Sequence, residues 1–131
     1  MNADVVRLWF LKADNDLKTG KDELRTDDAA TDTVCFHMQQ CVEKYLKAYL
    51  VFNNREISKT HNLTILLQQC IEIDQEFERL HKIDADELSV YAVDTRYPDD
   101  FYMPTMAESN DAVTVAEQVR DFVRNKISRN G

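Results

Sequence analysis

The sequence is short of the residues that interrupt helices. It contains only two glycines and two prolines in 131 residues. Because these residue types mark most tight turns, their scarcity favours a few long helices over many short strands. The length is that of one domain, and we predict a single helical domain over residues 1–131.

Cysteine is also scarce, and its pattern argues against two kinds of site. Cys35, Cys41 and Cys70 form no CxxC pair, so neither a disulfide framework nor a structural zinc site is expected. A di-iron helical bundle needs two Glu-x-x-His motifs, and the chain has one such spacing, from Glu78 to His81. Free thiols at apolar helical positions are typical of a reducing compartment. We therefore expect a cytoplasmic protein with no metal and no other cofactor.

Long apolar runs and an excess of positive charge are missing as well. No stretch has the length and apolar character of a membrane span or a signal peptide, so no membrane association is expected. The chain has 24 acidic and 16 basic residues, a net charge of −8, which argues against a general nucleic-acid binder, and no DNA partner is expected. The charge is uneven, however. Residues 36–63 carry four basic and two acidic side chains, which leaves room for a basic groove.

Apolar residues recur at helical spacing along most of the chain. The predicted helices cover about 3–25, about 29–52, a third helix capped by Thr60, a fourth capped by Asp84 or Asp86 that ends near Tyr97, and about 106–128. The sequence therefore predicts an all-α fold, an up-and-down antiparallel bundle of four long helices plus a short extra helix.

The second predicted helix carries most of the information. Apolar side chains cover nearly its whole circumference, as expected of a central helix. One line stays polar, with side chains three and four positions apart: His37, Gln40, Lys44 and Lys47. This line either borders a groove that binds a phosphate or a base, or faces solvent or a second subunit with its lysine stems over apolar surface.

Two shorter stretches allow similar alternatives. Arg96 could bind phosphate and Tyr97 could stack on a base, or the two could form the turn that ends a helix. Lys59, Thr60 and His61 come at the start of the third predicted helix. They could help its backbone amides hold an anion, or Thr60 could simply cap the helix.

Four stretches, in this order, resemble the signatures of the HEPN domain, a nucleotide-binding domain of higher eukaryotes and prokaryotes. They are residues 9–17 (WFLKADNDL), 36–48 (FHMQQCVEKYLKA), 59–63 (KTHNL) and 96–99 (RYPD). The resemblance extends from about Val5 to Lys126. It implies a helical bundle similar to the C-terminal domain of kanamycin nucleotidyltransferase, usually present as a homodimer.

The resemblance also implies a function. Free-standing prokaryotic members are commonly encoded beside a minimal nucleotidyltransferase, as a toxin and its antitoxin. It thus implies a protein that binds a nucleotide and acts with such a partner. The residues expected to line or border the nucleotide groove are His37, Gln40, Lys44, Lys47, Arg96 and Tyr97.

Many family members are metal-independent ribonucleases with an Arg-x(4–6)-His motif, which gives a second hypothesis. Arg96 has no histidine at that spacing, and the one match is Arg55 to His61, across a loop and the start of the third helix. Whether the chain is an enzyme therefore stays open, with Arg55 and His61 as its candidate catalytic residues. A third hypothesis is a non-catalytic protein-interaction module whose acidic surface mimics nucleic acid.

Overall fold

A computed structural model describes residues 2–92 and 102–130. The elements are α1 (Asn2–Leu24), α2 (Thr31–Phe52), α3 (Leu63–Ile73), a 3₁₀ segment (Gln75–Phe77), α4 (Glu78–Lys82), a second 3₁₀ segment (Ala85–Ala92) and α5 (Met106–Asn130). The described residues contain no strand, which confirms the predicted all-α class. Within them, α1, α2 and α5 are the three helices longer than 20 residues.

Helix α2 is the centre of the fold. It packs against α1, against α5, and against α3 with the Ala85–Ala92 segment. Val34, Met38, Cys41 and Tyr45, spread along its length, are completely buried. Apolar residues on nearly every side of α2 are buried because other helices surround it, as its composition predicts.

Helices α1 and α2 form a close antiparallel pair. At one end, Asn2 Nδ2 donates a hydrogen bond of 2.7 Å to the carbonyl of Val51. At the other end, Gly20 lies against Met38, whose terminal methyl is 2.3 Å from the place where a Cβ on Gly20 would stand. Gly20 is thus in the helix because the neighbouring side chain occupies the space a larger residue would need.

Helix α5 lies antiparallel to α1 on another side of α2. Two ion pairs mark the direction, Lys21 Nζ to Glu117 at 2.7 Å and Arg124 Nη2 to Asp14 at 2.6 Å. The residue numbers of the paired side chains fall from 21 to 14 along α1 while they rise from 117 to 124 along α5, as in two antiparallel helices.

Helix α3 is reached by a return path. Residues 53–62, which we call the return segment, run back along α2 until His61 Nδ1 lies 2.9 Å from Glu43. Further along α3, Cys70 Sγ lies 3.7 Å from the carbonyl oxygen of Leu46. Since the contacts advance in the same order along both helices, α3 follows the direction of α2. A short connection would have made the pair antiparallel, but ten residues are long enough to return.

The ends of the return segment show how the sequence sets its boundaries. Asn54 has a φ of 59°, the left-handed conformation that Asn tolerates and that commonly follows the end of a helix. The predicted cap of α3, Thr60, is wrong by two residues. Asn62 is the N-cap, and its side chain accepts hydrogen bonds from the amides of Thr64 and Ile65. Thr60 instead accepts a hydrogen bond from the amide of Asn62.

The fourth predicted helix is described only in part. Its described portion is the 3₁₀ segment Ala85–Ala92, whose Ser89 hydroxyl accepts a 2.7 Å hydrogen bond from the amide of Leu63. Arg96 and Tyr97 lie outside the described residues.

All three cysteines are free and buried. Burial raises the pKa of the Cys41 and Cys70 thiols. A buried thiol with a raised pKa is a poor nucleophile, so these residues act as packing groups.

Candidate functional site

The first part of the polar line on α2 is held by an acid from α1. His37 Nδ1 lies 2.8 Å from Asp16 Oδ1, and Lys44 donates a hydrogen bond to the other oxygen of the same carboxylate. All three side chains are largely covered, with 25% of His37, 21% of Lys44 and 11% of Asp16 exposed. The charge of Lys44 is therefore compensated within the fold, and this Asp16 network joins α1 to α2.

The second part of the line leads to a more deeply buried acid. Lys47 Nζ lies 2.9 Å from Glu43, with 8% and 4% of these side chains exposed. Gln40 donates to Gln39, and Gln39 donates to Glu43 at 3.1 Å and to the carbonyl of His61 at 3.2 Å. Together with the 2.9 Å contact from His61 Nδ1 to Glu43, these residues form the Glu43 network.

Glu43 is kept ionised by the groups around it. Burial by itself raises the pKa of this carboxyl, but hydrogen bonds from Lys47, His61 and Gln39 outweigh burial and lower it. At neutral pH the carboxylate therefore balances Lys47 and fixes the imidazole of His61.

His61 differs from His37 in facing solvent. Its side chain is 65% exposed, although its acid partner is buried. Because an ionised carboxylate only accepts hydrogen bonds, Nδ1 of His61 carries the hydrogen and neutral His61 has its lone pair on Nε2. An exposed imidazole held in this way is able to accept or donate a proton. The described residues with a predicted role are the polar line on α2 and the catalytic candidates Arg55 and His61. Among them, His61 is therefore the one placed to act as an acid or a base.

A second imidazole of the same kind, that of His81, was not predicted from the sequence. His81 Nδ1 lies 3.2 Å from both oxygens of Asp86, with His81 60% and Asp86 8% exposed. Asp86 also accepts a 3.2 Å hydrogen bond from Thr64, which comes three residues after His61. His61 comes just before the start of α3, and His81 is connected to the first turn of α3 through Asp86 and Thr64. The available signal was Asp86, five residues after His81. In the sequence, His81 was interpreted only as part of a metal motif and Asp86 only as a helix cap.

The return segment also carries two exposed cations, Arg55 and Lys59. Within the described ranges 2–92 and 102–130, neither side chain makes an ion pair or a hydrogen bond. Arg55 and His61 both belong to the return segment, but no hydrogen bond joins their side chains. Both cations are available to an anionic ligand, in contrast to Lys44 and Lys47.

The start of α3 is an ordinary capped helix end. The side chain of Asn62 accepts hydrogen bonds from the backbone amides of Thr64 and Ile65. The backbone amide of Leu63 donates a hydrogen bond to the hydroxyl of Ser89. These backbone N–H groups have their hydrogen-bond partners within the protein. The start of α3 is therefore a capped helix end, and its amides are not available to hold an anion.

Another polar cluster joins the three long helices. Tyr45 donates a hydrogen bond to Asp14, and Arg124 contacts both groups, at 3.2 Å and 2.6 Å. The guanidinium of Arg124 also lies 4.5 Å from the ring centre of Phe10. Burial, and then the hydrogen bond to Asp14, raise the pKa of Tyr45. This cluster fixes α1, α2 and α5 relative to one another.

A basic depression lies between α1 and α5. Its lining comprises Lys18, Lys21, Arg25 and Arg120 with Asp14, Asp22 and Leu17. Each of the four cations has an acidic neighbour between 2.7 and 3.7 Å away. Most of these pairs are partly exposed, and an anion could compete with them more easily than with the buried pairs of α2.

The described residues include neither a metal-binding cluster nor a membrane-spanning helix. Residues 2–92 and 102–130 hold no group of three or more His, Cys, Asp or Glu side chains placed to bind a metal ion. Over the same ranges, no helix combines the length and apolar character needed to cross a membrane.

Comparison with known proteins agrees with the helical architecture. The HEPN domain family matches residues 6–126. A protein of Methanocaldococcus jannaschii named "Putative toxin MJ1304" is 30% identical over an alignment of 142 residues, gaps included. The alignment covers 95% of this chain and 92% of that protein. The crystal structure of ST0689, described as an archaeal HEPN homologue, superposes with a TM-score of 0.66 at 22% identity. The match covers 93% of this chain and 97% of that one, and it supports the fold. The chain belongs to the HEPN domain family.

Proposed function

We propose that this chain is the toxin of a two-component pair and that its antitoxin is a minimal nucleotidyltransferase. The observation that carries the proposal is the 30% identity to a toxin-named protein over nearly the full length of both chains. In this proposal the protein acts in the cytoplasm as a homodimer, and its ligand is a nucleotide or RNA.

The buried ion pairs change which residues we propose for nucleotide contact. Lys44 and Lys47 are each neutralised by a carboxylate, so a phosphate would have to displace that acid. In the proposal, His37, Gln40, Lys44 and Lys47 have a structural role and border the nucleotide groove without contacting the phosphate. Direct contact is assigned to Arg96 for the phosphate and to Tyr97 for the base.

Growth and binding assays test this proposal. Expression of the chain should arrest growth, and co-expression of a nucleotidyltransferase encoded beside it should relieve the arrest. Calorimetry with nucleoside triphosphates should show binding that Arg96→Ala weakens by about tenfold or more, the loss of one charged hydrogen-bonded contact. Lys82→Ala, which removes an exposed cation elsewhere, is the matched control. Arrest without any nucleotide binding would remove the nucleotide part of the proposal.

A metal-independent ribonuclease is the second candidate, and two contacts favour it. Cleavage next to a 2′-hydroxyl needs a base and an acid. His61 held by Glu43 and His81 held by Asp86 are two exposed imidazoles of the required chemistry. Arg55 and Lys59 would supply positive charge for the RNA phosphates.

Cleavage of RNA by purified protein in the presence of a chelator tests the second candidate. His61→Ala and His81→Ala should each lower the rate by 10²–10⁴, the usual contribution of one acid or base. Arg55→Ala should raise KM more than it lowers kcat, whereas Lys82→Ala should change neither. Cleavage that survives both histidine variants would remove this assignment. A chain that is inactive in every assay would favour the third hypothesis, a non-catalytic protein-interaction module.

A further inference from the structure

The first half of α1 carries the single tryptophan of the chain, and a regular spacing sets its place on the helix. Asn2, Trp9 and Asp16 follow each other at intervals of about two helical turns, so they share one side of α1. Asn2 donates to the carbonyl of Val51, and Asp16 pairs with Lys44. This side of α1, with the indole of Trp9, therefore lies along the side of α2 that carries the polar line.

Trp9 and His61 reach the same buried ion pair from two different elements. The ring centre of Trp9 lies 6.0 Å from Nζ of Lys47. Lys47 pairs with Glu43 at 2.9 Å, and Glu43 contacts Nδ1 of His61 at the same distance. The indole on α1 and the imidazole on the return segment are therefore linked through one ion pair.

Both rings keep surface that the fold does not cover. Trp9 is half-buried, and His61 is 65% exposed. Lys47 and Glu43, which lie between the two rings, are almost completely covered. A ligand at this place would therefore meet the rings before the charges. An accessible indole beside an accessible imidazole is the kind of surface on which an unpaired base stacks.

Positive charge without a partner lies on both elements. Lys12 comes one turn after Trp9 on α1, and Lys59 comes two residues before His61 on the return segment. Over the ranges 2–92 and 102–130, neither lysine side chain makes an ion pair or a hydrogen bond. Phosphates could therefore bind these lysines without displacing an acid, in contrast to the lysines of the polar line.

We propose that Trp9 stacks on an unpaired nucleobase of an RNA strand whose phosphates contact Lys12 and Lys59 and whose sugar lies next to His61. The inference rests on the proposed function, because it takes a nucleotide or RNA as the ligand. It adds a base contact on α1 to the one assigned to Tyr97. The ligand is single-stranded, since the bases of a duplex stack on each other and leave no free face. Base identity matters little, because every base has a face to stack.

The fluorescence of the one tryptophan reports directly on this site. A single-stranded RNA of about six nucleotides, within the usual range of such sites, is made uncleavable by 2′-fluoro groups. It should quench the fluorescence of the wild-type chain as a base covers the indole. An abasic strand of the same length carries the same phosphates and should quench little. Adenosine monophosphate should need at least a tenfold higher concentration than RNA, because it lacks the neighbouring phosphates.

Substitution of Trp9 tests the stacking, with binding followed by the anisotropy of a label on the strand. Trp9→Leu should weaken binding of the RNA by about 5- to 100-fold, the usual loss for one stacked base, and should leave the abasic strand unaffected. Trp9→Phe keeps an aromatic face and should retain most of the affinity. Tyr102→Leu removes an aromatic side chain that is 62% exposed ahead of α5, and this matched control should bind like wild type. Circular dichroism would show that the variants are folded.

Substitution of the lysines separates charge from stacking. Lys12→Ala and Lys59→Ala should each weaken the RNA and the abasic strand by the same factor. Each should also reduce the slope of log Kd against log salt concentration by about 0.7, the value for one phosphate contact on a single strand. Lys82→Ala removes an exposed cation on α4 and should change neither the affinity nor the slope.

The outcomes distinguish failure of this inference from failure of the proposed function. RNA that binds without quenching the fluorescence, or that binds Trp9→Leu as tightly as wild type, would overturn the inference and leave the nucleotide or RNA ligand in place. Adenosine monophosphate that binds as tightly as RNA and depends on Trp9 would keep the stacking contact but overturn the single strand. A chain that binds neither would overturn both the inference and the ligand of the proposed function.

Discussion

The Asp16 network and the Glu43 network lie next to each other on α2, and each has one carboxylate that contacts a lysine and a histidine. They differ in the position of the histidine. His37 lies on α2 itself and is 25% exposed, whereas His61 comes from the return segment and is 65% exposed. The Asp16 network therefore connects helices, while the Glu43 network also directs an imidazole towards solvent.

The difference shows that the polar line on α2 serves two purposes. Its lysines are neutralised in both networks, so the line as a whole does not present free positive charge. Its acids determine what the histidines do. A carboxylate buried under a surface segment gives an oriented and accessible histidine, and a carboxylate shared between two packed helices gives a covered one.

The largest expected effect comes from removing the buried acid. Glu43→Ala leaves Lys47 buried without its partner and should lower the free energy of unfolding by about 3–5 kcal/mol. Glu43→Leu/Lys47→Met removes both charges and should cost much less, because no unpaired ion remains. Urea unfolding measures both variants. Equal losses in the single and double variants would contradict the importance of the ion pair.

A smaller effect is expected at the less buried acid. Asp16→Ala should cost about 1–3 kcal/mol, since Lys44 and His37 are partly exposed and regain some hydration. Asp22→Ala, at an exposed acid of the same helix, should change stability by less than about 0.5 kcal/mol. A loss at Asp16 as large as that at Glu43 would show that burial does not distinguish the two networks.

The pH dependence of stability should follow Glu43. Its pKa is lower in the folded protein than in the unfolded chain, so its stabilisation is complete above about pH 4.3, the ordinary Glu value, and is lost as pH falls through the folded pKa. Glu43→Gln should therefore be less stable than wild type at pH 7, and the difference should narrow towards pH 3. Unfolding curves at several pH values measure it. A difference that is constant from pH 7 to pH 3 would exclude a contribution from this charge.

The smallest effect is expected at the crossing of α1 and α2. Gly20→Ala gains about 1 kcal/mol of helix propensity but forces Met38 to move, which costs about 1–3 kcal/mol. The net loss should be about 2 kcal/mol or less and should shrink in a Met38→Leu background. The ring signals of His37, whose Cβ lies 3.6 Å from the added carbon, should shift in NMR spectra while those of His61 stay in place. Shifts at both histidines would mean that the two networks are coupled.

The helices were predictable because their signals are local. Apolar spacing gave the extents of α1, α2 and α5 to within a few residues. The start of α3 was missed because Thr60 and Asn62 are both good caps, and the choice between them depends on tertiary contacts.

The acids that hold the candidate site were not predictable in the same way. The polar line on α2 was visible, but its partners depend on how α1 is placed along α2. Asp16 is one of several acids on α1, and the sequence does not say which of them faces His37. His61 meets Glu43 only because the return segment runs back along α2, and its length of ten residues allows other paths.

The return segment is longer than its path requires. Ten extended residues reach roughly 33 Å, whereas nine residues of α2, from Phe52 back to Glu43, cover about 13 Å. Because the cost of closing a loop grows slowly with its length, an inserted residue there should hardly affect the stability of the helices. It would, however, change where His61 meets Glu43. Related chains could therefore gain or lose the oriented imidazole through loop length alone, while keeping the same bundle.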